Sequence, residues 1–383
     1  MSASIDHLRG LEGDELTATL AADGYLLLPA AAEPHAHLDK ALTADRVPNP
    51  RGDLLGAIEA WLAHRPTITV DDYADRAEQA ARMSLVNGIT TIRTHVDLGA
   101  ELGTTAVEGV LAAKERLGDL VDLQLVGLTG RPTTGPDGAA NLAVLRRALD
   151  LGLDVVGGCP HLDPDPDRCT DVLLDIAGEY GRPIDLHTDE TLDPTHLHLE
   201  HFAERVSALG FDHGAVASHC VSLGVQSEAT QRRVAEKVAA AGVAVVALPQ
   251  TNLFLQARGE RVAPARGLTA LTTLDEAGAV VCAGADNLQD PFCTMGRADP
   301  FETAALMVMA GHDTPEQAYA RVSSLTRQAI GMLPGSHAAH EATSDDVLAV
   351  RAGSLREAIA SAPVDRVVIR SGRVVAAGGH IVS

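Results

Sequence analysis

The stretch Glu33-Pro34-His35-Ala36-His37-Leu38-Asp39 follows an apolar run, residues 24–32, that reads as a β-strand. Side chains two apart in a strand share a face, so His35 and His37 can grip one ion together. Three other apolar runs end in chemistry-bearing residues. Residues 183–187 deliver His187-Thr188-Asp189-Glu190, residues 215–219 deliver Ser218-His219-Cys220, and residues 279–283 precede Gly284-Ala285-Asp286-Asn287. Four further runs, 89–96, 122–128, 154–158 and 244–248, complete a set of eight. The segments between them, such as 73–87, 142–151, 171–180 and 228–241, are rich in Ala, Leu, Glu and Arg with apolar residues at helical spacing. Asn87-Gly88 is a helix stop. Eight strands alternating with helices predict an α/β fold, a (β/α)8 barrel of TIM type.

Past Gly331 the periodicity changes. A polar, His-containing loop at 335–344 precedes a strand at 346–350, a helix near 354–360 and strands at 366–369 and 373–376, with Ser371-Gly372 as a hairpin turn. The expectation is a small β-sandwich appendage built from the chain termini, residues 1–29 and 335–383, on a barrel of residues 30–334. A chain of 383 residues has room for both, since such barrels take roughly 250–300. Aromatics at 3% leave Ala, Val and Leu to fill the core.

A formal charge of −22 repels phosphate backbones and anionic lipid, which argues against nucleic acid or membrane as partner. No uncharged apolar run approaches the ~20 residues that span a bilayer. Five irregularly spaced cysteines without a CxxC pair, and no basic-then-apolar N-terminus, point to reduced thiols in a cytoplasm. The expected partner is a small-molecule substrate, with a homo-oligomer left open.

A lone histidine on a strand is usually packing. The catalytic residues of such barrels gather at the C-terminal strand ends, however, so His35, His37, His187, His219 and Asp286 should converge there. Four ligands, His35, His37, His187 and Asp286, would hold one divalent transition metal ion and leave a position for water, whose pKa the ion lowers towards neutrality. A two-metal site needs a bridging group, often a modified lysine after strand four. The chain has three lysines, Lys40, Lys114 and Lys237, and strand four has none. Glu190, three residues past His187, suits a general acid/base. His219 is placed to orient the attacking oxygen and polarise the group under attack, and Asp286 can be both ligand and proton acceptor. His161 and Asp163 are candidates to touch substrate, Asp39 and Lys40 read as a structural pair, and residues 252–269 as part of a lid.

In order along the chain, EPHAHLD (33–39), GAIEAW (56–61), RTHVD (93–97), DLQ (122–124), DVVGG (154–158), HTDE (187–190), Ser218-His219 and NLFLQAR (252–258) resemble the cytosine deaminase branch of the metal-dependent amidohydrolase superfamily. The likeness covers nearly the whole chain. It implies a barrel with a small β-sandwich, one Zn²⁺ or Fe²⁺ on His35, His37, His187 and Asp286, and catalytic roles for Glu190 and His219. The chain also departs from that branch. Gly130 stands where a glutamine reads the pyrimidine amide edge, Asn287 replaces a second aspartate, and Phe292 replaces a tryptophan. Cytosine is therefore not the expected substrate. Arg131 and Arg258 are candidates to meet an anionic or carbonyl-rich edge instead. The resulting expectation is a hydrolase that cleaves a C–N bond of a small nitrogen heterocycle or cyclic amide. Its rivals are a ring-opening amidase or lactamase, an N-alkylamine-releasing aminohydrolase, and a metal-stabilised binding protein without catalysis.

Overall fold

The computed structural model describes residues 6–8, 10–130, 132–331 and 346–382. The expected loop at 335–344, the domain boundary at 335 and Arg131 lie outside them. Among the described residues, thirteen strands form two sheets. They are β1 (Leu26–Pro29), β2 (Ala31–Ala36), β3 (Ile89–Leu98), β4 (Asp122–Thr129), β5 (Val155–Gly158), β6 (Ile184–Thr188), β7 (Ala215–His219), β8 (Ala244–Ala247), β9 (Val281–Ala283), β10 (Val347–Val350), β11 (Arg366–Arg370), β12 (Arg373–Ala377) and β13 (His380–Ile381).

Strands β2 to β9 pair in sequence order, every pair parallel. Parallel strands covered by helices are buried on both faces, which is why β3 has no exposed residue and reads as an unbroken core segment. The ring closes where Ala36 bridges Asp286 and the Asp286 amide donates to the His35 carbonyl at 3.0 Å. Glu33 clamps the same seam, its carboxyl oxygens accepting from the amides of His35 at 3.1 Å and Ala285 at 2.9 Å.

The appendage is a five-stranded antiparallel sheet in the order β1-β10-β11-β12-β13. The run expected as one strand at 24–32 is in fact two. The chain leaves the small sheet at Pro29 and enters the barrel at Ala31. No hydrophobicity signal marks that change, because both halves are apolar and only the neighbours differ. Residues 13–22, read as part of the appendage, form a helix, and its Leu16 and Leu20 pack with Val347, Ala349, Val367 and Ile369. The alternate residues Leu348, Val350 and Val368 belong to the barrel core, so period-two alternation divides the sheet between two partners. At the junction Gly88 has φ 102°, and a Cβ there would lie 2.7 Å from Leu348, so this helix stop also permits the close approach of sheet to barrel.

Candidate active site

Each expected chemistry-bearing residue stands at the C-terminal end of a barrel strand. His35 is within β2 and His37 follows it, His187 is next to last in β6, His219 ends β7, and Asp286 follows β9. Asp189, His219, Cys220 and Asp286 have φ of 50°, 71°, 49° and 70°. Non-glycine residues adopt this left-handed conformation at a cost of roughly 1–3 kcal/mol, and it turns the chain sharply at the strand mouths.

The Nε2 atom of His187 lies 3.2 Å from that of His35 and 3.3 Å from that of His37. Asp286 Oδ1 lies 3.5 Å from His35 Nε2 and 3.2 Å from His37 Nε2. His219 Nε2 is 4.0 Å from Asp286 Oδ2. Both Asp286 oxygens and His219 Nε2 are buried without a hydrogen-bond partner. Burial drives the His35, His37 and His187 pKa values well below the imidazole range, so the rings are neutral, the form that ligates a metal. Burial, followed by the charges of Glu190, Asp290 and Glu33, pushes the Asp286 carboxyl upward. A pocket of converging lone pairs with orphaned carboxylate oxygens fits a divalent cation.

Partners behind the site set the ring orientations. His35 Nδ1 donates to Ser218 Oγ at 2.8 Å, and Ser218 donates to Asp185 Oδ1 at 2.9 Å, which directs the Nε2 lone pair of His35 into the cluster. Arg93 Nη1 donates to Asp185 Oδ2 at 2.8 Å, and His95 stacks on His35 with centroids 3.8 Å apart. His219 Nδ1 donates to Asn252 Oδ1 at 3.1 Å. Burial lowers the His219 pKa to about 3, so the ring is neutral and its Nε2 is an acceptor. Glu190 Oε1 lies 3.7 Å from His219 Nδ1, and desolvation alone raises its carboxyl to about 8.

The cleft above this cluster encloses about 600 Å³ with its mouth included. Gly130, Asn287 and Phe292 line it as expected, together with Glu190, His219 and Asp286. His161 does not. It is buried behind β6, its Nδ1 on the His187 carbonyl at 3.2 Å, with its pKa lowered to about 4 by burial. Asp163 is engaged by Thr133, through its amide at 2.7 Å and its hydroxyl at 3.0 Å. Arg258 is exposed and stacks over Phe254 at 4.2 Å, outside the cleft lining. The segment expected as a lid braces the site from behind, with Asn252 on His219 and Gln256 Nε2 on the Glu190 carbonyl at 3.3 Å. Cys220 is buried, its thiol facing the Ala217 carbonyl and its pKa driven up by desolvation, and it does not line the cleft.

The sequence reading missed the opposite wall. Lys40 is not merely paired with Asp39. Its Nζ reaches Asp97 Oδ1 at 2.8 Å, Asp39 Oδ2 at 3.2 Å and His37 Nδ1 at 3.2 Å. Asp97 also accepts from Trp61 Nε1 at 2.9 Å and faces Arg65 Nη1 at 3.5 Å. Lys40, Trp61, Arg65 and Asp97 all line the cleft beside Leu54, Ile58 and Leu62. Trp61 and Asp97 fall inside the matching stretches GAIEAW and RTHVD, so a signal existed; Asp97 stands near the end of β3 and Lys40 just past β2, but Trp61 and Arg65 come from a helix and the turn after it, which strand-end logic does not reach.

The family model for the amidohydrolase family matches residues 51–334. A pterin deaminase of Rhizobium rhizogenes is 33% identical over 353 residues, 91% of this chain and 80% of that protein. The fold superimposes on 5-methylcytosine deaminase from Klebsiella pneumoniae liganded with 5-fluorocytosine, at TM-score 0.83 and 30% identity over 92% of this chain and 87% of that one. It matches N-isopropylammelide isopropylaminohydrolase from Burkholderia multivorans at TM-score 0.78 and 30% identity, over 94% and 89% of the two chains. Among the described residues, no helix is long and apolar enough to cross a membrane.

Proposed function

This chain belongs to the amidohydrolase family, as a hydrolase acting on C–N bonds of nitrogen heterocycles with a histidine-rich metal site, and on that premise we propose that it deaminates a bicyclic aminoheterocycle of the pterin type. The observation that carries the substrate choice is Gly130. Where a side chain would stand over the ring, the nearest atom to an added Cβ is Asp97 Oδ1 at 3.8 Å, so the slot is open to a second ring. The apolar residues Leu54, Ile58, Leu62 and Phe292 line the same cleft.

In this reading His35, His37, His187 and Asp286 hold one Zn²⁺ or Fe²⁺, and Asp185 with Ser218 keeps His35 in the tautomer that ligates. The ion, when bound, supplies a water made acidic enough to react near neutral pH. Glu190, buried and held near pH 8, is able both to take and to return a proton in the working range. His219 accepts a hydrogen bond from the incoming water through Nε2, because its Nδ1 proton is committed to Asn252. That geometry supports the orienting role expected of His219 rather than the polarising one. The water oxygen joins the amidine carbon and the exocyclic C–N bond breaks. One water proton leaves with the amine as ammonia and the other stays on the ring nitrogen.

Ammonia release from the metal-loaded enzyme, assayed side by side on pterin, 5-methylcytosine, cytosine and N-isopropylammelide, tests the proposal. Pterin is expected to give the highest kcat/KM. Cytosine as the best substrate would refute the argument from Gly130. N-isopropylammelide belongs in the panel because the apolar lining also accommodates an alkyl group, and isopropylamine as the favoured product would replace ammonia in the reaction.

A further inference from the structure

Helix Leu54–His64 runs into the turn Arg65–Thr67, and that junction places a charged side chain in the cleft wall with its hydrogen bonds unfinished. Arg65 is 2% exposed. Its Nη1 stands 3.5 Å from Asp97 Oδ2, a long contact, and its Nη2 stands 3.7 Å from Glu101 Oε2, beyond hydrogen-bond range. Nη2 is buried with no hydrogen-bond partner. Lys40 differs, since its ammonium is held by Asp97 and Asp39 and stands beside His37 Nδ1. Among the described residues lining the cleft, Arg65 is thus the cation with a buried donor that meets no hydrogen-bond acceptor.

A buried donor left unpaired costs on the order of 1–3 kcal/mol, more when charged, unless a ligand supplies the acceptor. The surroundings decide which acceptor fits. Asp97 and Glu101 already flank the guanidinium, and a third carboxylate would be repelled by both. A neutral oxygen accepts from Nη2 without adding charge. Resting on the reading of this cleft as a heterocycle site, we propose that Arg65 is a specificity-determining residue that donates to a ring carbonyl of the substrate. It takes on this wall the reading role for which Arg258, exposed outside the cleft, was a candidate.

Trp61 is the single tryptophan of the chain and lines the cleft, so its emission reports occupancy independently of turnover. The metal-loaded wild type, Arg65→Met and Arg65→Lys are titrated with pterin, with 2-aminopteridine, which lacks the 4-oxo group, and with pterin-6-carboxylate. Equal metal content and melting temperature establish that the variants are folded, and Arg65→Lys serves should the methionine variant fail to fold. Arg65→Met is expected to weaken pterin binding about 10- to 100-fold, the cost of losing a hydrogen bond to a charged donor. Arg65→Lys should recover part of that loss, and 2-aminopteridine should bind the wild type and Arg65→Met alike.

Equal pterin affinity in wild type and Arg65→Met would overturn the proposal. So would a loss for 2-aminopteridine as large as for pterin. A wild-type preference for pterin-6-carboxylate that vanishes in Arg65→Met would replace the neutral acceptor by an anionic one. An Arg65 effect on binding without ammonia release leaves this assignment standing and removes the deaminase reading, whereas ammonia release unaffected by Arg65 does the reverse. If the wild type does not bind pterin, the same comparison is made with whichever panel heterocycle it does bind. A panel with no binder overturns both.

Discussion

On the strand-end wall of the cleft, His35, His37, His187 and Asp286 bring lone pairs together at 3.2–3.5 Å, and Asp286 and His219 keep polar atoms without partners. On the helix wall, where the helix Leu54–His64 meets the ends of β2 and β3, Lys40, Asp39, Asp97 and Trp61 join in a hydrogen-bonded network, with Arg65 Nη2 as its loose end. The first arrangement is one that a cation would complete. The second holds together as folded and leaves one donor for a guest. Unsatisfied atoms therefore mark where chemistry is expected, and satisfied ones mark where shape is fixed.

The proposed division of labour breaks most readily at Glu190. Glu190→Gln keeps the shape of the side chain and removes the proton shuttle, so turnover should fall by roughly 10²–10⁴-fold or more while metal content stays at the wild-type level. Near-normal turnover would move the proton to another group, with Asp286 first in line. His37→Ala gives the complementary pattern, a loss of bound metal measured by elemental analysis. His219→Asn should retain metal if His219 serves water rather than the ion, and metal loss there would recast it as a ligand.

On the helix wall, Asp97→Ala leaves the buried Lys40 ammonium short of a partner, and removing one member of a buried pair typically costs about 3–5 kcal/mol. Urea unfolding of the metal-loaded protein measures it, and a change within ~0.5 kcal/mol would show that the network contributes little. Ser218→Ala tests the link between the strand ends and what lies behind them. It should weaken metal affinity by about 10–100-fold through loss of the His35 tautomer, seen in competition with a chelator. An unchanged affinity would make Ser218 a packing residue.

The last effect, at the seam, is one of pH. Burial raises the Glu33 carboxyl from 4.5 to about 8, so the folded chain holds that proton more tightly than the unfolded chain. The associated stability is complete below pH 4.5 and is lost as pH rises towards 8. The wild-type advantage over Glu33→Gln in urea midpoint should therefore shrink across that window. A difference independent of pH would mean that Glu33 is ionised in the fold.

Much of the molecule was legible in the chain. Parallel strands buried on both faces are apolar throughout, so the eight runs were visible, and His187, His219 and Asp286 were found because barrel strands end at one rim. What only the tertiary structure decided has a common cause, that the deciding neighbours are remote in sequence. The split of residues 24–32 between two sheets depends on β10 lying beside β1 and β3 beside β2. Lys40 is a cleft residue only because Asp97, 57 positions on, meets it across β2 and β3. Arg258, an arginine like Arg65, faces solvent, while Arg65 is carried inward by the end of a helix over the barrel mouth. Sequence alone determined which elements form and which residue types stand at their ends, because backbone periodicity is local. Which charges meet, and which are left with a hydrogen bond to offer, was decided by packing between distant segments, because burial and pairing are properties of the assembled barrel.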